Sequence, residues 1–212
     1  MSNPNNYKLE DLIWTKPNSL SPELCDLIIK KFESDSRHRI GSTGKGIDET
    51  VKKTTDLSIS KFNDWKIEDT KLFEILLFEL EEYNKYIKSV NELLDYSING
   101  YISTSDSGYQ LQRYDNDQES PGFYDWHNDF SLDINGVRML TFMWYLNDVE
   151  IGGETEFMND MKIKPETGKL VIFPSQWQYL HRALPPISDK KWICTGWIYS
   201  QLSKLPEESS TK

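Results

Sequence analysis

Histidine and cysteine are scarce in this chain, with three of the first and two of the second in 212 residues. Cys25 and Cys194 stand far apart, in no metal-binding or redox spacing. That excludes a disulfide framework and reads as two small buried hydrophobes of a reducing compartment. Positive charge is also short: 24 Lys and Arg face 34 Asp and Glu, a formal net charge of −10. A phosphate backbone calls for a clustered basic face, so nucleic acid is excluded as the main partner. No apolar stretch approaches the roughly 20 residues that span a bilayer, and the opening MSNPNNYKLED has no apolar signal core. The expectation is a cytoplasmic protein with no membrane partner.

Aromatic residues are plentiful, with seven Trp, eleven Tyr and nine Phe. They crowd into residues 101–199, which points to a sheet-built, aromatic-lined pocket. Before that region the signals are helical. Ser21, Pro22 and Glu23 supply an N-cap, a proline at the first helical position and an acidic first turn, so a helix is expected over about 21–34. Leu24, Leu27, Ile28 and Phe32 form its stripe. Gly41, Gly44 and Gly46 crowd residues 35–50, which predicts a mobile loop. Leu72, Leu76, Leu80, Tyr83, Ile87, Val90 and Leu94 then recur at three- and four-residue steps, a long amphipathic helix over about 68–94.

Past Tyr101 the period changes to two. Strands are expected at about 109–114, 124–130, 137–146, 155–158, 169–173 and 191–199, punctuated by Gly, Pro, Asn and Asp. Such short, evenly spaced strands predict a jelly roll with the helices outside one sheet, an α+β fold. The length suits one domain over 1–200, helix-rich in 1–100 and jelly roll in 101–200, with a polar tail over 201–212.

Two of the three histidines stand in the register of a non-haem iron site. His127 and Asp129 form a His-x-Asp pair, and His181 follows at a distance that suits a return strand. Two imidazoles and a carboxylate on one face of Fe(II) leave the opposite positions for a chelating co-substrate and O₂. By strand alternation Asp125, His127 and Asp129 face inward, and Trp126, Asn128 and Phe130 face away. In the last strand Lys191 shares a face with Ile193, Thr195 and Trp197, and Lys190 lies on the other. Arg138 is open between substrate contact and surface salt bridge. His38 reads as exposed and not a ligand; Lys52, Lys53, Lys61 and Lys66 read as solvated surface.

At these residues the chain resembles the Fe(II)/2-oxoglutarate dioxygenases, and within them the prolyl 4-hydroxylase-like branch. The segments LQRY, WHND, RMLTFMWYLNDVEIGGETEF, GKLVIFP and HRALPPISDKKW stand in that family's order, with SPELCDLIIKKF and KKTTDLSIS ahead of them. The resemblance implies a double-stranded β-helix in which His127, Asp129 and His181 bind Fe(II) and carry catalysis. It implies that Lys191 pairs with the distal carboxylate of 2-oxoglutarate, a task suited to a flexible point charge. Tyr114, Thr155 and Tyr124 then border the co-substrate, and Arg138 and Trp197 the substrate. The implied reaction hydroxylates a C–H bond, foremost of a prolyl residue in a peptide or protein, releasing succinate and CO₂, with ascorbate as an expected accessory. Asp129 favours hydroxylation, since halogenating relatives lack that carboxylate. Two departures border the substrate entrance: the connection from Tyr114 to His127 is longer than usual in the branch, and that from Asp129 to Arg138 is shorter. The competing readings are a hydroxylase of a free amino acid or other small molecule, and a metal-binding jelly roll without turnover.

Overall fold

The structure is a computed structural model that describes residues 7–94, 102–133 and 136–202. In chain order it carries β1 (Trp14–Lys16), α1 (Pro22–Ser34), β2 (Arg39–Ile40), β3 (Lys52–Lys53), β4 (Thr55–Ser58) and α2 (Lys66–Val90). There follow β5 (Ile102–Asp106), β6 (Gln110–Tyr114), β7 (Phe123–His127), β8 (Leu132–Asp133), β9 (Gly136–Tyr145) and β10 (Thr155–Phe157). The last four are β11 (Lys162–Ile163), β12 (Leu170–Pro174), β13 (His181–Ala183) and β14 (Lys191–Leu202). β14 runs two residues into the stretch assigned to the tail, and 203–212 lie outside the described residues.

Two antiparallel sheets face each other, as the jelly-roll expectation requires. The larger follows the order β1-β12-β9-β14-β6-β4-β2, with β5 on β14 and β8 on β9; the smaller is β11-β10-β13-β7-β3. Strands from residues 14–58 are built into both sheets. Both faces of the larger sheet are covered, so alternate residues of one strand enter different cores. Leu140, Phe142, Trp144, Leu170, Ile172 and Cys194 join a core with Ile28 and Phe32 of α1 and Leu72, Leu76 and Tyr83 of α2. Met143, Tyr145, Val171, Phe173 and Ile193 form a second core between the sheets. Each fully buried side chain of this size contributes about 1.5–3 kcal/mol.

The helices lie where their patterns place them. Ser21 caps α1 by accepting from the Leu24 N–H at 3.3 Å. α2 stops at Val90 rather than 94, because Asn91 is extended (φ −153°) and its side-chain oxygen accepts from the Leu93 N–H in a local turn. Residues 35–50 are not all loop, since Arg39 and Ile40 form an edge strand on β4. His38 is half-buried, its Nε2 2.7 Å from the Phe32 carbonyl and its ring against Phe32. Lys52 is the clearest departure from expectation. It is 2% exposed, because β3 pairs beside β7 and turns Lys52 inward to meet Asp56 at 2.8 Å.

Candidate metal centre and co-substrate chamber

Pairing of β13 with β7 sets His181 directly opposite His127, with ring centroids 4.2 Å apart. Between this pair and the next, Ala183 with Tyr124, β7 uses one residue more than β13. That bulge re-phases the strand, so Tyr124 and His127, three apart, share the inner face and stack at 3.5 Å. Asp125 is correspondingly exposed, against the simple alternation, and Trp126, Asn128 and Phe130 line the cleft above the site.

Asp129 lies just past the end of β7. Its Oδ1 is 4.0 Å from His127 Nε2 and its Oδ2 3.7 Å from His181 Nε2. One ligand atom from each of the three lies within 4.8 Å of the others, a donor set that fits a small divalent cation. The tautomers agree. His127 Nδ1 donates to the Asp125 carbonyl at 2.7 Å and His181 Nδ1 to the Tyr179 carbonyl at 3.0 Å, leaving both Nε2 lone pairs directed at the shared space. Burial, then the neighbouring His181, pushes His127 down to about 3, so its imidazole is neutral at ordinary pH. Burial pushes the Asp129 carboxyl up, but His181, His127, the Thr141 hydroxyl and the Trp197 indole together outweigh it and hold the carboxyl below its usual range. The Trp197 N–H acts there without a well-formed hydrogen bond.

Thr141 donates to Asp129 Oδ2 at 2.8 Å. Its hydroxyl proton is thereby used, so in the 2.9 Å contact with Ser175 the serine is the donor. A two-hydroxyl chain thus fixes one carboxylate oxygen of the candidate metal ligand.

Behind the triad is a narrow chamber of about 50 Å³ whose walls include Tyr114, Tyr124, Thr155, Lys191 and Trp197. β14 places Lys191 opposite Tyr114. Lys191 is 1% exposed and lies 4.2 Å above the Tyr114 ring, and its Nζ donates to the Gly153 carbonyl at 2.9 Å. Gly152 and Gly153 hold φ near +77° and +76°, a left-handed turn that brings this carbonyl to the lysine. Among the described residues no carboxylate bonds Lys191, and burial lowers its pKa to about 7. A buried ammonium without an acid partner is costly, and an anionic ligand removes that cost. Lys190 faces outward to Asp115 at 3.6 Å, as its opposite parity predicts.

The remaining expected residues also gather here. Tyr114 donates to Gln112 at 2.8 Å, and Thr155 accepts from Tyr145 at 2.7 Å. Trp197 lines both chamber and cleft. Arg138 lies 3.8 Å over Trp197, with Nε donating to the Tyr199 hydroxyl at 2.9 Å. A second irregularity, one residue extra in β9 opposite Ile198 and Tyr199, turns Arg138 into the cleft. Gln112, Thr141 and Tyr145 escaped the reading of the sequence. Their inward parity was available, but only pairing shows which inward residues meet the chamber.

Comparison with known proteins agrees with this geometry. The sequence model of the 2OG-Fe(II) oxygenase superfamily matches residues 109–199. A probable prolyl 4-hydroxylase 7 of Arabidopsis thaliana is 27% identical over 42% of this chain and 37% of its own length. A probable prolyl 4-hydroxylase 3 of the same plant is 26% identical over 86% of this chain and 67% of its own. The chain thus spans between about two fifths and two thirds of the length of these curated relatives. The fold matches a viral collagen prolyl hydroxylase of Paramecium Bursaria Chlorella virus-1, with a TM-score of 0.58, 22% identity, and 88% of this chain and 94% of that one covered. Among the described residues no helix is long and apolar enough to cross a membrane. The triad and Lys191 both lie inside the stretch that matches the 2OG-Fe(II) oxygenase superfamily, and there the chain is similar to prolyl 4-hydroxylases.

Proposed function

We propose that this protein is a Fe(II)- and 2-oxoglutarate-dependent dioxygenase that hydroxylates a prolyl residue of a peptide or protein, releasing succinate and CO₂. The observation that carries this reading is the clustered His-Asp-His set beside a buried lysine to which no carboxylate bonds among the described residues. His127, Asp129 and His181 would hold the metal. Bound there, Fe(II) would supply the redox chemistry that couples oxidative decarboxylation of 2-oxoglutarate by O₂ to hydroxylation of the substrate, with one oxygen atom ending in succinate and one in the product hydroxyl.

The chain's own residues do the rest. Lys191 pairs with the distal carboxylate of the co-substrate, flanked by the hydroxyls of Tyr114 and Thr155. Tyr124, stacked on His127, keeps that ring from rotating. Phe157 and Phe173 pack on His181 and keep water from its outer side. Arg138 and Trp197 stand at the mouth and orient the substrate. The cleft they border encloses about 1100 Å³. An extended peptide fills such a cleft, whereas a free amino acid leaves most of it to water, which favours the peptide reading.

The test supplies Fe(II), 2-oxoglutarate, O₂ and ascorbate with proline-containing peptides or free proline. Mass spectrometry follows succinate and the gain of one oxygen. Peptide oxidation matched by succinate is expected; oxidation of free proline alone would overturn the peptide reading, and no succinate under any condition would overturn the enzyme reading.

A further inference from the structure

Resting on the prolyl hydroxylase reading, we propose that the substrate peptide carries an acidic flank, bound by Arg39 and Lys61 in a trough that prolongs the outer cleft. A second cavity of about 560 Å³ is lined by both cations. It shares Ser42, Ile47 and Gln110 with the cleft, so the two form one groove.

Sheet register gives the direction. Gln112, which lines both chamber and cleft, stands opposite Asp56 of β4, and Asp56 opposite Arg39 of β2. This row crosses two strand spacings, roughly 10 Å, about three residues of extended peptide. Acidic side chains therefore fall about three to five residues from the hydroxylated one.

Charge accounting singles out Arg39. Of the five arginines, Arg37 pairs with Asp35 and Asp64, Arg113 with Glu33 and Asp115, and Arg182 with Glu156. Arg138 rests on Trp197. Among the described residues the Arg39 side chain makes no hydrogen bond or ion pair, and neither does Lys61. The acid of the trough, Asp56, is already taken by Lys52 and by the Thr54 hydroxyl. Two exposed cations without acids thus border the substrate groove of a protein whose net charge is −10. In the cleft Lys45, Lys52 and Arg138 are balanced by Asp48, Glu49 and Asp129, whereas the trough sets Arg37, Arg39 and Lys61 against Asp56 alone, which sets the polarity: an acidic flank is drawn to Arg39 and Lys61.

The experiment measures binding by fluorescence anisotropy and oxidation by mass spectrometry on labelled Ala/Gly peptides with one central proline. Two Glu, or two Lys, are placed three to five residues from it. The Glu peptides are expected to bind about three- to tenfold more tightly than the Lys peptides, a preference that shrinks at high salt. Arg39→Gln with Lys61→Gln flattens it, and Arg39→Glu with Lys61→Glu reverses it. Reversal also shows that the variant is folded. Equal binding of both series, binding of neither, or a preference unchanged in the charge-reversed variant overturns the trough. Charge-selective binding with no oxygen gained by any peptide leaves the trough standing and removes the prolyl reading; oxygen gained equally by both series removes the trough alone.

Discussion

The inner chamber and the outer cleft meet at Gln112, Tyr124, His127, Asp129 and Trp197, yet they are built differently. The chamber, about 50 Å³, draws its walls chiefly from strand residues whose positions follow from pairing, and Lys191 inside it is 1% exposed. The cleft, about 1100 Å³, draws on residues 42–52 and 126–131, largely outside strands, and carries the exposed Ile47, Trp126 and Phe130. On the proposed function the chamber holds the same co-substrate in every turnover, which rigid, paired backbone serves. The cleft then accepts and releases a chain of varying sequence, which connections and adaptable side chains serve. Changes in the chamber should therefore act on metal and co-substrate, and changes in the cleft on substrate.

The largest expected effect is at the triad. Alanine at His127, Asp129 or His181 should abolish succinate formation and Mn(II) binding by titration calorimetry while the melting transition persists. Full activity in His181→Ala would break the assignment of the metal centre.

Next comes the anchor. Lys191→Ala should raise the 2-oxoglutarate requirement about ten- to a hundredfold, the scale of a lost charge-assisted hydrogen bond, with Lys190→Ala near wild type. Equal effects would place the wrong lysine in the chamber. The same residue sets a pH dependence. An unfolded lysine keeps its proton to about 10.4, whereas buried Lys191 releases it near 7. Between these values the unfolded chain binds more protons, so the stability of the ligand-free protein rises with pH across that window. Co-substrate binding needs the ammonium and should weaken as pH climbs above about 7. Melting curves and 2-oxoglutarate titrations from pH 6 to pH 10, about the span of these two values, check both signs; Lys191→Met should remove both trends.

Thr141→Val tests the hydroxyl chain. Freed of its donor, Asp129 should bind Co(II) about tenfold less tightly, with Thr141→Ser near wild type. Unchanged affinity would reduce that chain to packing. The smallest effect is at the rim. Trp126→Ala should raise the peptide KM about threefold, a rim contact worth under about 1 kcal/mol, and leave the 2-oxoglutarate KM alone. A shift in both would dissolve the distinction between chamber and cleft.

Much of this protein is determined by residue type and period alone. Ser21 and Pro22 start α1, the three- and four-residue steps from Leu72 to Ile87 form α2, and period-two segments build the central strands. His127, Asp129, His181 and Lys191 could be named because scarce histidines beside a carboxylate, and a lysine of fixed strand parity, are local signals. The tertiary structure alone decided the rest. Two extra residues, one in β7 and one in β9, turn Tyr124 and Arg138 inward and Asp125 outward. A bulge exists only relative to its partner strand and leaves no trace in a single chain's periodicity. Lys52 reads as surface until β3 is set beside β7 and Asp56 meets it, because burial of a charge depends on a partner supplied by another strand.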